Sequence, residues 1–290
     1  MAINKKNLFI LLLIIGTAFW GISFPLVKSG VGSSAPFVFL AYRFCLAALA
    51  MLLLFPASIR QFDADTFRTA AFLAVPLFLG IVPQTYGLKY SPSGQCAFVA
   101  GLCVVTLPVV NRLVYRKPIA ANLLLASLMA VAGLYIISIK DGFSIGLGDI
   151  YTLLGTVGFA FYLINVSKYS SAPTLIPSVT LMFVLCSLLA FAMAAFSPDS
   201  QWITTDKHFW VGVAFSSLLS TAYMYSVSNK AQQYIEAEKV ALIYLFEPIF
   251  ASAAAFLLLG EPFTWRLLLG GSLIIAATLV SELKTWKSVS

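Results

Sequence analysis

Charge is what this chain of 290 residues has least of: only 10% of its residues are charged, with 11 carboxylates and one histidine against 60% apolar residues. A composition so poor in polar groups, with a mean hydropathy of +0.94, cannot cover the surface of a water-soluble domain. Cysteine is scarce too. Cys45, Cys96, Cys103 and Cys186 all lie inside apolar runs without CxxC spacing, which reads as small core residues rather than a disulfide framework or thiolate metal site. His208 is the lone histidine and opens a helix beside a loop, so no metal site of ordinary composition is expected. A GxxxxGK[ST] loop is missing as well, which disfavours ATP-driven pumping. No loop is long enough to be a domain, the longest apolar-poor stretch being 197–207.

What the chain does have is solid apolar runs of about twenty residues, the length an α-helix needs to cross a hydrocarbon core. Barrel strands would be about half as long and would alternate, so an all-α integral membrane protein is indicated. Ten spans are expected, near 8–28, 36–55, 69–88, 93–114, 120–139, 149–168, 175–196, 208–229, 238–260 and 265–283. The first run follows Lys5 and Lys6 but lacks a small-x-small cleavage site, and it reads as a retained helix rather than a signal peptide. Ser91-Pro92, Asp149 and Thr264 are expected to cap spans 4, 6 and 10.

The formal charge of +7 would suggest nucleic acid in a soluble chain. Here the cations sit singly in short loops, and orientation explains them better. With the N-terminus inside, twelve fall on the cytoplasmic side (Lys5, Lys6, Arg60, Arg68, Arg112, Arg116, Lys117, Lys168, Lys230, Lys239, Lys284, Lys287). Five fall outside (Lys28, Lys89, Lys140, Lys207, Arg266), and Arg43 lies within span 2. Both termini are therefore expected in the cytoplasm.

Sliding the chain by 144 residues aligns Tyr90–Ile136 with Tyr234–Val280 without a gap and matches Tyr90/Tyr234, Ala97/Ala241, Pro118/Pro262 and a Leu-Leu-Leu run, among other identities. The repeat divides the chain into 1–144 and 145–290, five spans each. An odd number of spans makes the second half enter from the opposite face, giving two inverted repeats.

Span 9 carries Glu247 near its middle, followed directly by Pro248. An acid at that depth is costly and is a functional candidate, and the proline frees a carbonyl near Tyr244. Together with Phe19-Trp20-Gly21-Ile22-Ser23-Phe24 and Lys28, Arg43, Gly87-Leu88-Lys89-Tyr90 through Ala97-Phe98 to Pro108, Gly148-Asp149, Leu245-Phe246-Glu247-Pro248 and Gly260-Glu261-Pro262, this resembles the EamA-type branch of the drug/metabolite transporter superfamily. Span 6 departs from the family, reading Phe159-Ala160-Phe161-Tyr162 where a tryptophan is usual. The resemblance implies a central cavity lined by spans 1, 3, 4, 6, 8 and 9, peripheral spans 5 and 10, and export of small metabolites such as amino acids.

Helical spacing nominates the lining. Thr17, Trp20 and Phe24 share a face of span 1; Gly158, Tyr162 and Asn165 share one of span 6; Ser216, Ser220 and Tyr223 share one of span 8; Tyr244 and Glu247 share one of span 9. Gln84 and Tyr86 join them from span 3. The small polar positions read equally as close helix packing. Arg43 is too deep to snorkel easily and is expected to find an acceptor inside the bundle, whether structural or on a substrate. Glu247 either couples protons to transport or makes a fixed bond to Arg43 or a backbone donor. Lys28, Lys89 and Arg112 read as span-end anchors, and Trp202, Trp210, Trp265 and Trp286 as interfacial ones.

These features point to a secondary transporter of a small organic metabolite in the cytoplasmic membrane, with lipid as its solvent, no cofactor, and no nucleic acid partner. A membrane-embedded enzyme would need a second deep carboxylate or a base beside a nucleophile, and a lipid-carrier flippase of the same superfamily tends to be a four-helix chain. Gly270-Gly271 would permit close contact with a second copy, a homodimer. The charge asymmetry makes a direct prediction. Cysteines placed near Asp63, Asn229 or Lys287 should react with impermeant thiol reagents only from the cytoplasmic side, and those near Ser33 or Ser200 only from outside; external reaction near Asp63 would overturn the orientation.

Overall fold

The computed structural model describes residues 4–32, 35–138, 146–171, 174–197, 200–259 and 265–282, and among these the regular elements are all helices, without a strand. Helix α1 covers Lys5–Gly32 and α2 Pro36–Leu54; after a 3-10 turn come α3 (Ala64–Tyr90), α4 (Ser93–Gly101), α5 (Cys103–Tyr115) and α6 (Ala121–Ser138). The second half runs through α7 (Leu147–Tyr169), α8 (Leu175–Ala195), α9 (Lys207–Phe215), α10 (Met224–Ala231), α11 (Ala237–Tyr244), α12 (Phe246–Leu259) and α13 (Trp265–Glu282). A π-helical stretch, Ser216–Tyr223, joins α9 to α10. Among the described residues six segments are long and apolar enough to cross a membrane: α1, α2, α3, the continuous α4–α5 rod, α7 and α8.

Several helix ends differ from the expected caps. Helix α3 begins at Ala64 rather than near 69, because the Asp63 side chain accepts from the Thr66 N–H at 2.8 Å and starts the helix before its apolar run. That backbone bond holds the Asp63 carboxyl below the usual carboxylate range. Ser91 does not cap α4; its hydroxyl donates to Asp149 instead. Asp149 caps α7 as expected, though from the third helical position rather than as the N-cap residue itself. It lies one turn inside and accepts from the Gly146 N–H at 2.7 Å. The Thr264 cap, the Gly260-Glu261-Pro262 motif and Trp286 lie outside the described residues.

The bundle is organised as hydrocarbon requires. Large apolar side chains such as Leu53, Leu79, Leu128 and Leu188 point outward, whereas Thr17, Arg43, Thr156, Ser220 and Asn229 are buried within. With lipid on the outside as apolar as any leucine, close packing must hold the helices together. The most extensive pairing is α3 along α7, followed by α6 along α13 and α2 along α8, while α1 lies against α12 and the α9–α10 rod.

Glycine makes the α3–α7 contact so close. A β-carbon added at Gly158 would lie 2.4 Å from the Gly80 backbone nitrogen, and one at Gly155 would lie 2.7 Å from the Gly80 carbonyl oxygen. Gly270 is likewise consumed inside the chain, its carbonyl facing Gly133 of α6, and Gly271 faces Ile249 of α12. That glycine pair therefore offers no surface to a second copy.

Gly158→Ala is expected to force backbone apart from backbone and to cost about 1–3 kcal/mol. Gly94→Ala, which would meet nothing within 4 Å, is the matched control. Thermal unfolding in detergent should show a lowered midpoint for the first and an unchanged or slightly raised one for the second.

Candidate functional site

Two helical rods are interrupted near the middle of the bundle. Between α4 and α5 the Leu102 N–H reaches back to Val99 O, and between α11 and α12 the Leu245 N–H reaches back to Leu242 O, so each rod tightens by one turn. The second break falls beside Pro248, whose ring and missing N–H disturb the carbonyl of Tyr244. A third rod, α9–α10, is instead loosened over Ser216–Tyr223, where π-type winding releases carbonyls from the regular ladder.

A cavity lies among these irregular segments. Its walls come from Trp20, Ser23 and Phe24 of α1, Arg43 of α2, Ile81, Gln84 and Thr85 of α3, Gly101 and Cys103 at the first break, Phe159 and Tyr162 of α7, Tyr225 of α10, and Tyr244, Leu245, Glu247 and Pro248 at the second break. The peripheral pair α6 and α13 contributes none of these.

The loosened segment orients two of the walls. Trp20 donates its indole N–H to the Ser220 carbonyl at 2.7 Å, and Arg43 donates Nε–H to Thr221 Oγ1 at 2.7 Å. Trp20 then stands edge-on to Tyr244 and Tyr225, with ring centroids 4.7 and 5.7 Å away, and Tyr225 meets Tyr162 at 5.6 Å. The phenols are fixed in turn, since Asn229 donates to the Tyr162 hydroxyl at 2.6 Å and Tyr244 shares a hydrogen bond with Ser228. The result is a rigid aromatic wall carrying hydroxyls and one guanidinium.

Glu247 faces this wall. It is 8% exposed, Arg43 is 4% exposed, and Glu247 Oε1 has no hydrogen-bond partner. The bond to Arg43 that the sequence allowed is not made. Gly21 permits this placement, because its missing side chain lets α1 lie directly on the Glu247 carbonyl and the Ala251 nitrogen. The site thus presents a cation, an unpartnered acid, an amide and several aromatic faces in a bundle interior, which suits binding of a small polar or amphipathic solute.

Both ends of the cavity are braced by polar groups. At one end Lys28 donates to the Leu88 and Ser91 carbonyls, closing the last turn of α3, while Asp149 accepts from Gln95 Nε2 at 2.7 Å. Lys28 is thus a cap between helices rather than a span-end anchor. At the other end Asn111 donates to Glu238, and Gln233 donates to the Ser170 carbonyl.

Seven of the nominated residues meet here: Trp20, Phe24, Gln84, Tyr162, Tyr244, Arg43 and Glu247. Tyr86, Asn165 and Tyr223 do not. Tyr86 is two residues from Gln84, about 200° around the helix, and packs on Phe37 and Tyr151. Asn165 shares the broad stripe of α7 with Tyr162, but α3 presses onto Gly158 in the middle of that stripe. Tyr162 falls inside the contact and Asn165 outside, donating to the Phe72 carbonyl at 2.8 Å. Regular α-helical spacing would put Tyr223 on the cavity face, but the π-type winding changes that spacing. Tyr223 reaches the Leu12 carbonyl and stacks edge-on with Phe19, and Tyr225 takes the cavity position.

The profile of the EamA-like transporter family matches the chain twice, over residues 7–139 and 146–282. The chain belongs to this family. It is similar to an uncharacterized transporter of Archaeoglobus fulgidus, 29% identical over 272 residues that cover 91% of this chain and 82% of the relative. It is also similar to the uncharacterized transporter YvbV of Bacillus subtilis, 24% identical with 92% and 88% covered. A protein solved by crystallography superposes with a TM-score of 0.76 at 14% identity, over 96% of each chain, which is a likeness of fold. As a member of the EamA-like family the chain is a multi-pass membrane transporter.

Exchanging the two tyrosines separates the cavity from the face beside it. Tyr225→Ala should sharply reduce transport by the reconstituted protein while Tyr223→Ala leaves it near wild type; the reverse order would place the functional wall on the other side of the loosened helix.

Proposed function

We propose that this EamA-like transporter moves small organic metabolites, amino acids first among them, out of the cell by alternating access through the central cavity. The reading takes ten spans in two inverted halves, both termini cytoplasmic, in the cytoplasmic membrane. The observation that carries it is an unpartnered buried acid in a polar, aromatic cavity between two broken helices. The breaks support the inverted repeat, since sliding Leu102 by the 144 residues of the sequence repeat lands next to Leu245. The two matches to the family profile, one in each half, support it as well.

In this reading the aromatic wall of Trp20, Tyr162, Tyr225 and Tyr244 receives the apolar part of the solute. Arg43, already held by Thr221, offers its remaining N–H groups to a carboxylate. Glu247 has no bond to break when the cavity changes access, so it can take up a proton on one side and release it on the other. Opening then requires one polar brace to part while the other holds: Lys28 and Asp149 at one end, Asn111 with Glu238 at the other. Helices α1, α3, α7 and the two broken rods carry these groups and are the parts that would rock.

Replacing Glu247 with Gln keeps the shape and removes the titrating group. Proteoliposomes holding the variant should still exchange labelled amino acid across the membrane but fail to accumulate it under a pH gradient. Intact accumulation would leave Glu247 a structural residue, and scrambling of labelled lipid without any solute flux would favour a flippase instead.

A further inference from the structure

On the outside of the α3–α7 pair is a second recess that plays no part in the cavity. It is an open groove of about 650 Å³, bounded on α3 by a stripe from Phe67 through Arg68, Phe72, Val75 and Leu79 and on α7 by Gly158, Phe161 and Asn165. From Arg68 onward the stripe recurs every three or four residues, as a single helix face must. Its side chains are exposed: Phe67 by 53%, Val75 by 53% and Leu79 by 60%. In a membrane they face acyl chains.

One end of the groove is charged. Arg68 lies over the Phe72 ring at 5.8 Å and Lys168 over the Tyr169 ring at 5.3 Å, and the two rings stack on each other at 6.0 Å. Arg68 is the one of these two cations that lines the groove, and it marks the groove's charged mouth. Neither is in an ion pair with a carboxylate among the described residues. Beyond the mouth every side chain on the stripe of α3 is apolar, and the one amide on the α7 side, Asn165, spends its N–H on the Phe72 carbonyl.

The dimensions select the occupant. From Phe67 to Leu79 the groove follows about 18 Å of helix, against about 15 Å for the hydrocarbon of one leaflet. It therefore runs from the headgroup level to the bilayer midplane, and an apolar trough of one leaflet's depth beneath a cation matches an anionic lipid.

We infer that this groove is a binding site for an anionic phospholipid, whose phosphate is held by Arg68 and one of whose acyl chains lies along Phe72, Val75 and Leu79 toward Gly158. The site does not depend on what the central cavity carries. Because its floor is the α3–α7 contact, a lipid seated there would also clamp two walls of that cavity from outside.

Native mass spectrometry of the delipidated full-length chain, titrated with dioleoylphosphatidylglycerol or dioleoylphosphatidylcholine, tests the assignment. The wild type should retain phosphatidylglycerol preferentially, and excess inorganic phosphate should not displace it. Arg68→Gln should weaken that binding about fivefold and bring it to the level of phosphatidylcholine. Val75→Trp and Leu79→Trp, two exposed positions where a larger side chain fills the groove without entering the bundle, should each abolish it with an unchanged melting temperature. Equal retention of the two lipids, displacement by phosphate, or full binding by both tryptophan variants would overturn it.

Discussion

Backbone-to-backbone contact at glycine is the constraint on which the rest of this bundle depends. In hydrocarbon there is no hydrophobic gain in bringing two apolar helices together, so dispersion and close approach must supply the cohesion. Gly80, Gly155 and Gly158 let α3 and α7 touch along their main chains, and Gly21 does the same for α1 on α12. Each contact leaves the side chains flanking the glycine on opposite sides. The cavity wall and the lipid-facing groove are therefore two faces of one packing decision, with Tyr162 on one and Asn165 on the other.

Irregular backbone forms the cavity, and in a membrane irregular backbone survives only where it is buried in protein or lines a wet space. The two tightened breaks reach the cavity through Gly101, Cys103 and Leu245, and the loosened turn at Ser216–Tyr223 stands behind two of its walls. What they release is used. The Ser220 carbonyl holds Trp20 and the Thr221 hydroxyl holds Arg43, so the loosened turn orients an aromatic plane and a guanidinium together. Glu247 is treated differently from Arg43. The base is tied down and the acid is left with an empty oxygen, an asymmetry that suits one group to hold and the other to exchange.

Much of this was legible from residues alone. Apolar runs of membrane length gave the helices, because only a helix or a closed barrel satisfies its backbone in lipid. The cost of an acid or a base in hydrocarbon singled out Glu247 and Arg43, and those two groups do line the cavity. Trp20, Phe24, Gln84 and Tyr244 followed from the same spacing arguments. Helix ends were less readable, since Asp63, Ser91 and Asp149 all carry capping chemistry, yet Ser91 is drawn away to Asp149 of the neighbouring helix while the two aspartates cap their own.

The sequence by itself determined the class of structure, the depth of its charged residues and the family, since these rest on composition, run length and local motifs. Tertiary structure alone decided which side of a stripe faced inward. The period of a helix defines a face about 100° wide, and where a partner helix lands within that width depends on a glycine contact made by residues far away in the chain. It also decided between Tyr223 and Tyr225. The π-type winding that shifts the register is sustained by bonds from α1 and α2, and no local pattern in Ser216–Tyr223 announces it.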